Sequence, residues 1–138
     1  MLTRERFATA INCIDGRAQG PVTDWLRLHF NVDYVDMITE PGADKCLVHG
    51  PAEVIEAIER KVKLVLKVRG TKLLAVAAHH DCLANPVSKE EHSELIIQGI
   101  KVVASWGISE RIVGLYVNEY RWIDVVFDTQ DRSAAHYL

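Results

Sequence analysis

Two short stretches carry the side chains best suited to chemistry: Cys13-Ile14-Asp15-Gly16-Arg17 and His79-His80-Asp81-Cys82. Two thiolates and one imidazole make a borderline-soft donor set that suits zinc. Cys13, His79 and Cys82 as three protein ligands would leave a fourth tetrahedral position open, the arrangement of catalytic rather than structural zinc. A metal held this way lowers the pKa of bound water from about 15.7 to near 7 and supplies hydroxide at neutral pH. Neither stretch is specific alone. Cys13 also reads as a small buried hydrophobe, and His79 as a hydrogen-bonded core imidazole. Joint placement brings the metal reading level with these, because each stretch follows an apolar run and both should emerge on one rim of a sheet; position alone leaves both readings open.

Other polar features have competing readings. Cys46-Leu47-Val48-His49 is a second pair at metal-ligand spacing. If Cys46 reached the same ion, the site would be four-liganded and structural; otherwise Cys46 is a buried thiol and His49 a histidine near the start of a helix. His80, beside a ligand, reads either as a proton shuttle or as an exposed loop histidine. Lys61, Lys63, Lys67, Arg69 and Lys72 cluster near a helix C-terminus, where the macrodipole favours cations. Trp25, Trp106 and Trp122 stand at unrelated spacings and read as core and interface anchors.

The elements that must position these residues alternate between strand and helix. Residues 7–14 form a short apolar run suited to a strand buried on both faces. Residues 16–20 break it, and 21–30 read as a helix with Pro21 in its first turn. Residues 34–39 are a second strand and 40–44 a loop. Residues 51–68 are the clearest helix, with Val54, Ile55, Ile58, Val62, Val65 and Leu66 on one stripe and Gly70 as its stop. Residues 73–78 are a third strand. Residues 88–106 are a helix opened by the Ser88/Glu91 capping pattern and closed by Gly107. Residues 112–117 and 122–127 read as two last strands joined by a turn short enough for a hairpin. The expected fold is α/β, a mainly parallel central sheet of about five strands flanked by helices, with the last pair antiparallel. Binding crevices in such sheets lie beyond the carboxyl ends of the strands, where Cys13 and His79 fall.

Composition excludes other classes. The 138 residues are expected to form a single domain, 1–138, large enough for one core without staples. With 49% apolar and 25% charged residues, the chain is not of the disordered type. A net charge of −3 gives no long-range attraction for nucleic acid, so no nucleic-acid partner is expected. No apolar run approaches the length of a membrane span, and no apolar stretch follows the charged N-terminus as in an export signal. Three cysteines, an odd count, argue against a disulfide framework and for a reducing cytoplasm.

Cys13-x-Asp15-x-Arg17 followed by His79-x-x-Cys82 resembles the beta-class carbonic anhydrases. Val113-Gly114-Leu115-Tyr116-Val117, then a short turn and Trp122-Ile123-Asp124, is similar to that family's late strand pair. The resemblance runs in order from about residue 8 to 126. It implies that Cys13, His79 and Cys82 bind Zn2+ and that Asp15 and Arg17 form the catalytic dyad beside the open position. The activity implied is hydration of carbon dioxide to bicarbonate by a metal-bound hydroxide, in a homodimer or higher homo-oligomer. Asp15 would orient the hydroxide and Arg17 would hold Asp15 ionised; released by Arg17, Asp15 could instead close the site as a fourth ligand. Gly16 stands where the family usually has Ser, and Leu83-Ala84 where it has Gly-Gly. The family's Asn-Ala-Gly-Asn-like loop is replaced by residues 40–44, and its N-terminal helices have almost no room before Phe7. Two alternatives therefore stand beside the hydratase: a zinc hydrolase of another small electrophile, such as carbonyl sulfide or carbon disulfide, and a zinc-binding module without turnover. The tail, residues 131–138, is expected either to dock on a neighbour or to fray.

Overall fold

The structure is a computed structural model that describes residues 4–108 and 111–131; most of the C-terminal tail lies outside these. The elements are β1 (Phe7–Cys13), α1 (Gly16–Phe30), β2 (Tyr34–Glu40), α2 (Ala43–His49), α3 (Ala52–Arg69), β3 (Leu73–His79), α4 (Lys89–Ser105), β4 (Arg111–Val117) and β5 (Ile123–Asp128). The five strands form one sheet in the order β2-β1-β3-β4-β5. The first four are parallel and β5 runs antiparallel to β4, as the sequence predicts.

The strand order decides where a site can form. From β1 the chain crosses to β2, then returns through α2 and α3 to β3 on the other side of β1. The order reverses between β1 and β3, whose carboxyl ends therefore lie side by side at the topological switch point. Thr9, Ala10 and Ile11 pair with Leu74, Ala75 and Val76. Both strands are buried from their second residue to their last. That is why they read as continuous apolar runs rather than alternating ones.

Period-two alternation still sorts their side chains. Leu74, Val76 and Ala78 join Ile11, Ile38, Ile112 and Tyr116 in the larger core, which α2, α3 and α4 cover with Leu47, Ile58, Val62, Ile96, Ile100 and Val103. Ala75 and Ala77 face the other way with Ala10, Val113, Leu115 and Val117, against Ala18, Val22 and Leu26 of α1. The α3 stripe buries Ile58, Val62 and Leu66 at i, i+4 and i+8. Gly70, at φ +67°, caps that helix by donating its N–H to the Leu66 carbonyl. Gly114 leaves room for α4 on β4: a Cβ there would lie 2.6 Å from Ile96 Cγ2.

Two segments differ from expectation. Helix α1 starts at Gly16 rather than Pro21, so residues 16–20 do not break the chain. The Asp15 side chain caps the helix by accepting the Arg17 N–H, and buried Ala18 and Val22 anchor its early turns. Pro21 stands inside the helix, where it forgoes the bond to the Arg17 carbonyl. The expected loop 40–44 is shorter, because α2 begins at Ala43 and buries Ala43, Asp44 and Leu47.

Candidate metal centre

Cys13 is the last residue of β1 and His79 the last of β3, while Cys82 lies in the turn that follows β3. All three are buried, and one ligand atom from each falls within 4.8 Å of the others. Among the described residues this is the one such group of histidine, cysteine and carboxylate side chains. The two sulfurs are 3.9 Å apart. Zinc–sulfur bonds of 2.3 Å in a tetrahedral site would space them about 3.8 Å.

Neighbouring polar groups fix these side chains. The Cys13 N–H donates to Asn12 Oδ1 at 2.7 Å, and Asn12 Nδ2 donates to the Ala18 carbonyl at 3.1 Å, tying the end of β1 to α1. His79 Nδ1 donates to the His80 carbonyl at 2.8 Å. The His80 N–H in turn donates to the Val117 carbonyl. That contact sets the tautomer, so Nε2 carries the lone pair. Nε2 is buried and has no hydrogen-bond partner, a costly state for a polar nitrogen unless something binds it. Metal-ligating histidines characteristically donate their other N–H to a carbonyl or carboxylate, and the donor set is one zinc favours. The residues therefore fit the ion. Without metal, burial first and the nearby Cys13 second push the Cys82 thiol up to about 11. Binding an ion there must drive off a proton.

Asp15 and Arg17 lie at the edge of this cluster. Arg17 Nε donates to both Asp15 oxygens, at 3.1 and 3.2 Å, and Nη2 to Oδ2 at 2.7 Å. These side-chain bonds, with the Arg17 backbone N–H, hold the Asp15 carboxyl far below the usual carboxylate range. Asp15 Oδ2 is 3.9 Å from His79 Nε2. The arginine is itself clasped from the other side: Nη1 donates to Asp81 Oδ2 and Nη2 to the Asp81 carbonyl, each at 3.1 Å. Asp81 adopts the left-handed conformation, φ +59°. The guanidinium thus bridges the turns after β1 and β3. The sequence motif contains Asp81, but nothing in its spacing assigns it this contact.

The remaining candidates separate cleanly. Cys46 is half-buried on α2, outside the three-residue group, and its Sγ donates to the Pro41 carbonyl; burial pushes this thiol up. His49 is exposed at the end of α2. His80 is exposed on the rim. An open cleft of about 710 Å³ runs past Cys82 between the β3–α4 connection and the β4–β5 hairpin, with Tyr116, Lys89 and Asp124 in its wall. Buried Asp44, Asn85 and His92 also meet near the site through their side chains. They come from three separate elements, so no local spacing announces them.

Comparison with known proteins agrees with this architecture. The sequence profile of a family described as "Putative carbonic anhydrase" matches residues 3–127. No curated protein matches the chain in sequence. In structure, it is similar to a beta-carbonic anhydrase isoform from Trichomonas vaginalis (TM-score 0.60, 12% identity, 93% of this chain and 88% of that one). It is also similar to a carbonic anhydrase from Streptococcus mutans (0.58, 13%, 87% and 81%) and to the beta-carbonic anhydrase CafA of Aspergillus fumigatus (0.52, 11%, 94% and 79%). With its profile matched over nearly the whole sequence and its sheet laid out as in these structures, the chain belongs to the carbonic anhydrase family and has the beta-class fold.

Proposed function

We propose that the protein hydrates carbon dioxide to bicarbonate, with zinc held by Cys13, His79 and Cys82. The observation that carries this reading is the buried, unpartnered His79 Nε2 beside two thiols 3.9 Å apart. Zinc bound there supplies a Lewis acid that makes water acidic near neutral pH. The chain's own residues do the rest. Asp15, kept ionised by Arg17, accepts a hydrogen bond from the attacking water and turns its lone pair towards the carbon. Arg17, fixed by Asp81, keeps the Asp15 carboxylate from turning in among the three residues that would hold the ion. One proton leaves for each bicarbonate formed, and the exposed rim at His80 gives it a route to solvent.

Assembly belongs to the same proposal. Strand β5 is an edge of the sheet and exposes Val125, with Trp122 exposed just before it. A paired edge would give a homodimer or higher homo-oligomer, which light scattering would read as a multiple of 15.5 kDa. Among the described residues no helix is long and apolar enough to cross a membrane, and three free thiols suit a reducing cytoplasm.

The test is stopped-flow hydration of carbon dioxide on protein with a measured zinc content. Hydration well above the buffer rate at pH 8 and higher is expected. A zinc-loaded protein no faster than buffer would remove the hydratase reading, and turnover of carbonyl sulfide or carbon disulfide instead would reassign the substrate.

A further inference from the structure

A buried carboxylate lies behind the proposed metal site, and the chemistry above does not use it. Asp44, in the first turn of α2, is 1% exposed; Asn85 is 3% exposed and His92, in the first turn of α4, is fully buried. Burying a carboxylate is costly unless its lone pairs are satisfied. Asp44 is satisfied by two neighbours only one connection away from Cys82. Asn85 Nδ2 donates to its oxygens at 3.2 and 3.3 Å, and His92 Nδ1 donates to Oδ2 at 2.6 Å.

Asn85 is the hinge of this arrangement. Within residues 83–88, which follow Cys82, it is the one buried residue; Leu83, Ala84, Pro86 and Ser88 are exposed. The connection thus has no apolar anchor of comparable depth. The Asn85 backbone N–H donates to the Cys82 carbonyl at 3.3 Å, closing the turn that carries the ligand. Gly42, at φ +62°, lets the start of α2 press against the same turn: a Cβ there would meet Asn85 Cβ at 3.3 Å and Ala84 at 3.4 Å. The contacts run as one chain from His92 to Asp44 to the Asn85 side chain, and through its backbone to Cys82.

We propose that Asp44, Asn85 and His92 are positioning residues: a buried polar brace that sets the Cys82 turn in its ligating geometry before any metal arrives. The inference rests on the metal-centre reading. It assigns to hydrogen bonds from the β3–α4 connection and α4 the task of spacing one sulfur from the other. Outer-shell partners of metal ligands typically change affinity 10–100-fold when removed. The brace should act on that scale although none of its side chains touches the ion.

Cobalt(II) titration of the full chain separates the outcomes, because thiolate-to-cobalt charge transfer reports sulfur ligation directly. Wild type should bind one cobalt with an intense thiolate band. Asn85→Ala and His92→Phe should bind about 10–100-fold more weakly with a shifted or weakened band. His92→Asn, which keeps an N–H donor near the Nδ1 position, should restore most of both. Variants that melt at lower temperature yet keep wild-type affinity and band would overturn the brace and leave a purely structural role. A wild type without the thiolate band would overturn the metal centre and the brace together. If the variants do not fold, amide exchange on wild type decides. The Asn85 N–H should be as protected in metal-free as in loaded protein, and protection appearing only with metal would overturn the proposal.

Discussion

The two rims of the sheet are built from similar residue types and end in opposite states. At the amino-terminal rim, Arg69 pairs with Asp36 at 2.9 Å and Arg111 with Asp128 at 2.6 Å, and their guanidinium groups lie over the Phe7 and Phe30 rings. At the carboxyl rim, Asp15, Arg17 and Asp81 form a similar ionic cluster. Beside it stand two close thiols and an imidazole nitrogen with no partner. Charged residues at strand ends are therefore no sign of a site by themselves. A donor set whose geometry is fixed but whose bonding capacity is unspent is such a sign.

The largest expected effect comes from Cys82→Ser, which removes one of the two proposed soft ligands. Zinc binding should fall by more than the roughly 100-fold that outer-shell changes cause, and carbon dioxide hydration should fall with it. Metal analysis after dialysis and stopped-flow rates check this. Next is Arg17→Met. It leaves all three proposed ligands but frees Asp15, so metal content should hold while kcat/KM drops on the order of 100-fold, as misplacing a positioned group does. Equal activity in that variant would erase the functional contrast between the rims.

A smaller effect separates Asp15 by pH. Its carboxyl is depressed in the folded protein by the Arg17 hydrogen bonds. Its contribution is therefore fully present above the unfolded value of about 3.9 and is lost as pH falls through the lowered folded value. Denaturant unfolding of metal-free protein should show Asp15→Asn less stable by up to about 1 kcal/mol at pH 7, with the gap closing below about pH 4. The smallest effects belong to the amino-terminal rim. Arg69→Met and Arg111→Met should each change stability little, as screened ion pairs at a surface do, with zinc content and turnover unchanged. A loss of metal in either would break the comparison.

Much of this was legible in the chain. Two-faced strands such as β1 and β3 show as unbroken apolar runs, and α3 shows as a stripe. The positions of Cys13 and His79 at the ends of two such runs predict their meeting, because parallel strands at a switch point share a rim. The misreadings have local causes. Gly16 and Gly20 look like breakers, yet a side-chain cap and two buried residues outweigh their weak propensity in α1. Helix α2 is seven residues long and follows Pro41-Gly42, so its turn signals hide its periodicity. Asp44, Asn85 and His92 are illegible in the sequence for a different reason. They are separated by 41 and 48 positions, and a contact made across three elements leaves no trace in spacing.

Asp81 holds its charge in a backbone conformation that only a few residue types enter readily. Glycine or asparagine would satisfy that torsion and leave the bend intact, but neither carries the anion that restrains the guanidinium. A descendant sequence drifting at this one position would keep its shape, its thiols and its imidazole while loosening the hold on Arg17. Inherited architecture and the proposed turnover would then part company at a single codon.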